Sequence, residues 1–496
     1  MKNNNKIPFL IILMAIFSLA MMVPAIHALY LGLHRIAQPF FYSSLLFFIL
    51  TTFLGIAIKR PRDRSSPRGA LYTILGFYIL LPILLTVPLN EALGGSNFLD
   101  LYFEMFACLT TTGATIFDSS SLIAEPIHLW RALVGWLGGF IFLVIAFAIL
   151  EPMNLVGFEI FRSNSESNFA TRIIRTKNSE ERLLKYSRKL FPVYFLITGV
   201  IFILMIFTGN RAFTSLCLAF STISTSGILP NNTGKFLEVG ILSQLIIMIF
   251  LTISLSHTFS TLKNSSVFKR LKSEREFRVG VILVSITFVL FTLIDGFNFV
   301  GINNSITLNE FFYKMWVRLF SLFSFITTTG FMLKPIYEQF LIIPVSVLAG
   351  LSLIGGGVAT TAGGIKLLRV YTLYKHGANE LNKLSHPRSV TGFGGTGRDI
   401  RKEGAFIAWI FFMLFVLIGA SMVLFLSFFG VSVESSVVLT ASALSTNGNL
   451  AFAAIENFRY QELSLPIKGC LLIGMLVGRF EILAIIAIFL PNLNSN

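Results

Sequence analysis

Ile326-Thr327-Thr328-Thr329-Gly330-Phe331 joins two apolar runs, and Thr110-Thr111-Thr112-Gly113-Ala114 stands in the same setting far earlier in the chain. Ser224-Thr225-Ser226-Gly227-Ile228 and Ser445-Thr446-Asn447-Gly448-Asn449 complete a set of four at near-equal intervals. Glycine admits positive φ without a Cβ clash, so each turn can present backbone carbonyls and hydroxyl oxygens to one axis. Four such turns in a ring would replace the water shell of a monovalent cation. Irregular backbone at membrane depth persists only where protein buries it or a watery cavity solvates it. Small residues at a helix contact account for one copy, not for four in one register. The expected ion ligands are Thr110, Thr111, Thr112 and Gly113, then Ser224, Thr225, Ser226 and Gly227, then Thr327, Thr328, Thr329 and Gly330, and finally Ser445, Thr446, Asn447 and Gly448.

Around these turns the 496 residues are 54% hydrophobic and 13% charged, the composition of a polytopic membrane protein. The net charge of +15 is not a nucleic-acid signature here, because the basic residues gather between apolar runs. Residues 162–189 hold eight Lys/Arg, 263–278 six and 366–402 eight. By the positive-inside rule these linkers and both termini are cytoplasmic, and all four turns open outward. Cys108, Cys217 and Cys470 lack the spacing of a disulfide framework or zinc site. Gly392-Phe393-Gly394-Gly395-Thr396-Gly397 follows no strand and reads as a cytoplasmic loop rather than a phosphate loop.

The expected fold is an all-α polytopic membrane protein of about ten spans. Residues 1–68 form an N-terminal transmembrane pair, with spans near 7–28 and 40–58. Four units follow, each with a span, a short re-entrant helix, the Ser/Thr-Gly loop and a return span, arranged pseudosymmetrically around one pore. They occupy 69–160, 191–262, 279–375 and 404–496, separated by cytoplasmic linkers 161–190, 263–278 and 376–403. In the first unit the re-entrant helix covers 98–109; such pieces, of about 10–14 residues, are too short to cross the bilayer core.

The order of motifs resembles the Trk/Ktr/HKT superfamily of potassium transporters, and within it the TrkH-type bacterial subunit. Phe103-Glu104 with Thr110 to Thr115 looks like that family's first pore helix and filter, and Trp136-Leu137-Gly138-Gly139 like its first return helix. Thr327 to Phe331 matches the third filter. The run Gly355-Gly356-Gly357-Val358-Ala359-Thr360-Thr361-Ala362-Gly363-Gly364-Ile365-Lys366 looks like its glycine-rich intramembrane loop, and Gly478-Arg479-Phe480-Glu481-Ile482 is similar to its closing motif. The extra N-terminal spans favour the TrkH type over the KtrB type. Ser226 and Ile228 are mild departures. The fourth filter lacks the Gly-Pro-Gly ending common in the family, which bears on potassium over sodium preference, while its Gly448 is expected to supply the flexible position.

The resemblance implies potassium uptake through a channel-like pore in the cytoplasmic (inner) membrane, with K+ as the transported ion and no cofactor in this chain. It also implies a homodimer docked on a cytosolic nucleotide-binding regulatory ring of the TrkA type, near linkers 162–189 and 366–402. The gate it implies comprises Gly355, Gly356, Gly357, Thr360, Thr361, Gly363, Gly364 and Lys366, together with Arg479. Five glycines within 355–364 already argue against a continuous helix, at about 1 kcal/mol each relative to alanine. Arg479 near mid-span should face the pore or a partner, and re-entrant helices should aim their partly negative C-termini at a cavity below the filter.

Glu104 reads either as an acid that lowers the potential at the filter or as an acceptor that holds the filter loop, the second being preferred. Asp295 and His257 read as interfacial residues. Uniport and proton- or sodium-coupled symport are both open to this sequence. An intramembrane enzyme would need a nucleophile and base, or paired acids, at matching depth; the scattered acids and peripheral histidines argue against it. A non-transporting scaffold leaves the four turns unexplained.

Overall fold

The computed structural model describes residues 8–58, 67–95, 97–117, 123–151, 179–230, 236–256, 274–301, 308–333, 343–385, 402–455, 458–480, 482, 484 and 485. The basic linkers 161–190, 263–278 and 376–403 lie largely outside them, as do the N-terminal lysines, His257, Gly392 to Gly397 and Glu481; the side chain of Asp295 lies outside them too.

The described residues are helical apart from short connections. An N-terminal layer holds α1 (Phe9–Ala20), α2 (Met22–Tyr30) and α3 (His34–Ala57). Four trios follow: α4 (Pro67–Ala92), α5 (Phe98–Leu109) and α6 (Glu125–Ile145); α7 (Ser179–Phe207), α8 (Ala212–Ser224) and α9 (Ile241–Leu251); α10 (Arg275–Gly301), α11 (Leu308–Ile326) and α12 (Val345–Ile354); α14 (Lys402–Phe428), α15 (Val433–Leu444) and α17 (Leu465–Phe480). Helix α13 (Leu367–Ser385) leads out of the third trio, and the short α16 (Asn449–Ala454) sits within the fourth.

Seven helices among the described residues are long and apolar enough to cross a membrane: Phe9–Tyr30, His34–Ala57, Leu71–Ala92, Glu125–Leu150, Glu181–Phe207, Arg275–Ile294 and Gly404–Phe428. Several keep a bare apolar face, with Phe53, Ile56, Leu196, Leu417 and Leu424 exposed as lipid requires. The three other expected spans are α9, the broken pair α12 and α13, and α17, all shorter within the described residues or interrupted. Helix α5 has the expected bounds. Helix α11 is longer than the expected re-entrant piece, because Glu310, Lys314 and Arg318 recur four residues apart and extend the helix with a polar stripe.

Within each trio the first and middle helices pack together. The last helix then packs on the middle helix of the next trio: α6 on α8, α9 on α11, α12 on α15, and α17 back on α5. This rule closes the four trios into a circle, with the short helices innermost. Local chemistry starts those helices. The Asn97 side chain accepts from Leu99 N at 3.3 Å and Ser432 from Ser435 N at 3.3 Å, supplying N-caps to α5 and α15.

One ion pair fastens the ends of the circle. Lys468 Nζ on α17 donates to Asp100 Oδ1 on α5 at 2.6 Å and to the Gln461 carbonyl at 2.8 Å, and both side chains are largely buried. Removing one partner of a buried pair costs about 3 kcal/mol or more. Lys468→Ala should therefore lower the thermal unfolding midpoint of the detergent-solubilised protein, and Lys468→Ala with Asp100→Ala should recover part of the loss.

Candidate ion-conduction site

Each short helix ends in the same way. The amides of Thr112, Ser226, Thr329 and Asn447 donate to the carbonyls of Ala107, Ser221, Ser324 and Ser442, five residues earlier, at 2.8, 3.1, 2.9 and 2.9 Å. This is the six-to-one bond of a helix C-terminus whose preceding residue is left-handed. That residue is usually glycine, yet here it is threonine: Thr111, Thr225, Thr328 and Thr446 have φ of 55°, 51°, 56° and 53°. A β-branched residue in this region stores roughly 1–3 kcal/mol of strain, and four copies place it at the same step of every loop.

The next residues build the ring. A Cβ on Gly113 would lie 2.0 Å from Ser226 O, one on Gly227 2.1 Å from Thr329 O, one on Gly330 2.1 Å from Asn447 Oδ1, and one on Gly448 2.2 Å from Ala114 N. Loop one thus meets loop two, two meets three, three meets four, and four meets one. Gly113, Gly227 and Gly330 have φ of 69°, 65° and 71°. Gly448 departs from the expected flexible role: its φ is −61° and it opens helix α16, so close approach rather than positive φ demands a glycine there.

The ring brings all sixteen expected ligand residues together, with their oxygens in different situations. Hydroxyls at the first and third positions pair within loops one to three: Thr110 with Thr112 at 2.9 Å, Ser224 with Ser226 at 3.0 Å and Thr327 with Thr329 at 3.1 Å. Of the second-position hydroxyls, Thr111 and Thr446 have no hydrogen-bond partner among the described residues, whereas Thr225 Oγ1 donates to Ser224 O at 2.8 Å and Thr328 Oγ1 is engaged from outside the ring.

In the fourth loop the carbonyls turn elsewhere. Asn447 O accepts from Ser442 Oγ at 2.9 Å and Gly448 O from the Tyr460 hydroxyl at 2.9 Å. Gly448 N donates to Thr112 O at 2.6 Å, and Asn447 Nδ2 donates to Ser352 Oγ at 3.0 Å. Of these, the Ser352 bond is the one made by the asparagine side chain that replaces the third hydroxyl.

Glu104 is buried behind the first loop. Its Oε1 accepts from Arg131 Nε at 2.6 Å and its Oε2 from Ile116 N at 2.8 Å, so the carboxylate ties the loop's outgoing strand to α5 and α6. Of the two readings of Glu104, the geometry favours the structural one. Arg131 was not anticipated, although a lone arginine in an apolar span must find a partner.

Residues 355–364 break the third trio's last helix, as their glycines require. Gly355 and Gly364 have positive φ, and a Cβ on Gly355 would lie 2.0 Å from Gly363 O. The loop is pinned against the ring. Gly363 N donates to Thr328 Oγ1 at 2.8 Å, Thr361 Oγ1 donates to Ile223 O at 3.3 Å, and a Cβ on Gly363 would strike Ser445 O. From α10, Glu276 Oε2 accepts from Val358 N at 3.0 Å, a contact with no signal in the sequence. Lys366 Nζ donates to Ala362 O.

Arg479, fully buried on α17, donates through Nη1 to Thr361 O at 2.5 Å and lies 3.9 Å over the Phe142 ring. Its Nε and Nη2 have no hydrogen-bond partner among the described residues. The loop and Arg479, expected to act together, are in direct contact.

Comparison with known proteins agrees with this architecture. Residues 37–496 match the family described as "TrkH: Cation transport protein". The chain is 27% identical over 463 residues to the Trk system potassium uptake protein TrkH of Escherichia coli K12, covering 90% of this chain and 91% of that protein. It is 27% identical over 501 residues to the protein of the same name from Vibrio parahaemolyticus, covering 97% of each. The crystal structure titled as the potassium transporter TrkH from Vibrio parahaemolyticus superposes with a TM-score of 0.80 at 24% identity, over 99% of both chains.

Proposed function

This chain belongs to the TrkH family of cation transport proteins, multi-pass membrane proteins and not enzymes, and we propose that it carries K+ into the cell through a pore lined by the four Ser/Thr-Gly loops. The observation that supports this most directly is the closed ring, in which each loop follows a short helix whose C-terminal end points inward. Carbonyl dipoles without carboxylates suit a weakly held monovalent ion, and the converging helix ends favour positive charge.

In this reading the four trios are pseudosymmetric repeats of one pore, within the segments 69–160, 191–262, 279–375 and 404–496. Both termini face the cytoplasm, and the membrane is the cytoplasmic one. The transporter works as a homodimer whose basic linkers dock on a cytosolic nucleotide-binding ring. Uptake needs no pump: one positive charge moving inward gains about 2.3 kcal/mol per 100 mV, enough for roughly fifty-fold accumulation.

The test is tracer flux of Rb+ and Na+ into liposomes holding the purified chain, with an imposed potential, pH gradient or sodium gradient. Rb+ entry driven by potential alone and favoured over Na+ is expected. Equal Na+ entry means the fourth loop has relaxed selectivity, and flux only under a pH or sodium gradient means symport.

The gate is residues 355–364 with Arg479. At an effective dielectric of about 20, a unit charge roughly 10 Å from a passing cation raises its energy by about 1.7 kcal/mol. Arg479→Gln should therefore speed Rb+ entry by about tenfold or more. Flux no faster than in the unaltered chain, with the elution profile intact, would remove Arg479 from the gate.

A further inference from the structure

The fourth loop carries one side chain that reaches beyond its neighbours. Around the ring, loop four adjoins loops one and three, and loop two lies opposite. Asn449 Nδ2 nevertheless donates to Gly227 O on loop two at 2.9 Å and, more weakly, to Thr329 O on loop three at 3.4 Å. The same nitrogen sits 2.5 Å from where a Cβ on Gly227 would be, so the absence of a side chain there makes room for it. The carboxamide is buried and sits where loops two and three meet. The corresponding residues of the other loops, Ala114, Ile228 and Phe331, carry no donor.

An amide NH2 has two N–H donors and no acceptor lone pair. Facing two ring carbonyls, it presents them with partial positive charge where a dehydrated cation would otherwise sit. We propose that Asn449 is a plug: its amide occupies the Gly227 and Thr329 carbonyls and must swing off them before a cation can take its place. This rests on the conduction reading above and adds a condition to it. Entry is a competition between an ion and a tethered amide, so an ion is admitted only if the carbonyls hold it better than they hold Asn449.

The experiment is Rb+ and Na+ uptake into liposomes under an inside-negative potential, over a range of external concentrations, for the unaltered full chain, Asn449→Ala and Asn449→Ser. Serine keeps a polar group too short to reach Gly227, and it serves if the alanine variant fails to fold. Freeing carbonyls from one or two hydrogen bonds of modest net strength should lower the half-saturating Rb+ concentration about tenfold. Na+ should gain by the same factor, leaving the Rb+ to Na+ ratio unchanged, since both ions lose the same competitor. Unchanged half-saturation for both ions in a variant that elutes like the unaltered chain overturns the plug while leaving conduction intact. Absence of flux in all three chains overturns the conduction reading, and the plug with it.

Discussion

Gly113→Ala will cut Rb+ flux about a hundredfold while leaving the protein able to fold and insert. The added Cβ would stand 2.0 Å from the Ser226 carbonyl oxygen, which is backbone and cannot turn aside as a flexible side chain can. Loops one and two must then separate, displacing a ring carbonyl by about 1 Å, a change that costs about a hundredfold at a site built on geometric fit. Positive φ adds strain, and the two causes can be separated. Gly209 has φ of 87° with nothing within 4 Å of its Cβ position, so Gly209→Ala should show only the strain, about 1–2 kcal/mol of stability with normal flux. Gly448 has the opposite balance, an ordinary φ but a Cβ position 2.2 Å from Ala114 N, so Gly448→Ala should lose flux. Gly330 is intermediate, since the nearest atom is the Asn447 side-chain oxygen, which can give way. Flux in Gly113→Ala equal to that in Gly209→Ala would mean the ring is not the conduction path.

Much of this site was legible in the sequence because it is written locally. Four turns of one pattern, a re-entrant helix at 98–109 and a glycine-rich break in a span all carry their signal within a dozen residues. The loops were expected to use their glycines for positive φ, and Gly113, Gly227 and Gly330 do so; the threonine two residues before each of the four glycines is left-handed as well, a choice that hydroxyl-rich composition does not reveal. Gly448 matched the pattern in sequence yet adopts helical φ, because Asn447 and Asn449 recruit Ser352, Gly227 and Thr329. The bonds that close the circle are hidden for a different reason. Asp100 and Lys468 stand at opposite ends of the chain, and Glu276 meets Val358 only after the third trio has folded back. Periodicity is blind to such pairs. Yet a lone buried charge in an apolar span demands a partner, and Glu104 and Arg131 answer that demand for each other in the first unit.

Glu104→Ala will cost about 3–5 kcal/mol, the penalty for leaving a buried charge without its partner. The substitution strands Arg131, whose remaining polar neighbours include His128 Nδ1 at 3.2 Å, and it removes the acceptor of the Ile116 amide. The first loop would then lean on its helix-end bonds and its contacts with loops two and four. Thermal unfolding in detergent should read the loss, and Rb+ flux should fall with it. Glu104→Gln is the milder change, because an amide oxygen can still accept from Ile116 N while the charge on Arg131 goes uncompensated. The informative variant removes both charges. Glu104→Gln with Arg131→Met takes away the pair together, and exchanging a buried pair for groups of similar volume is often close to neutral. If Glu104 serves to hold the loop, stability and flux recover together in the double variant. If its charge instead draws cations toward the ring, stability recovers and flux does not.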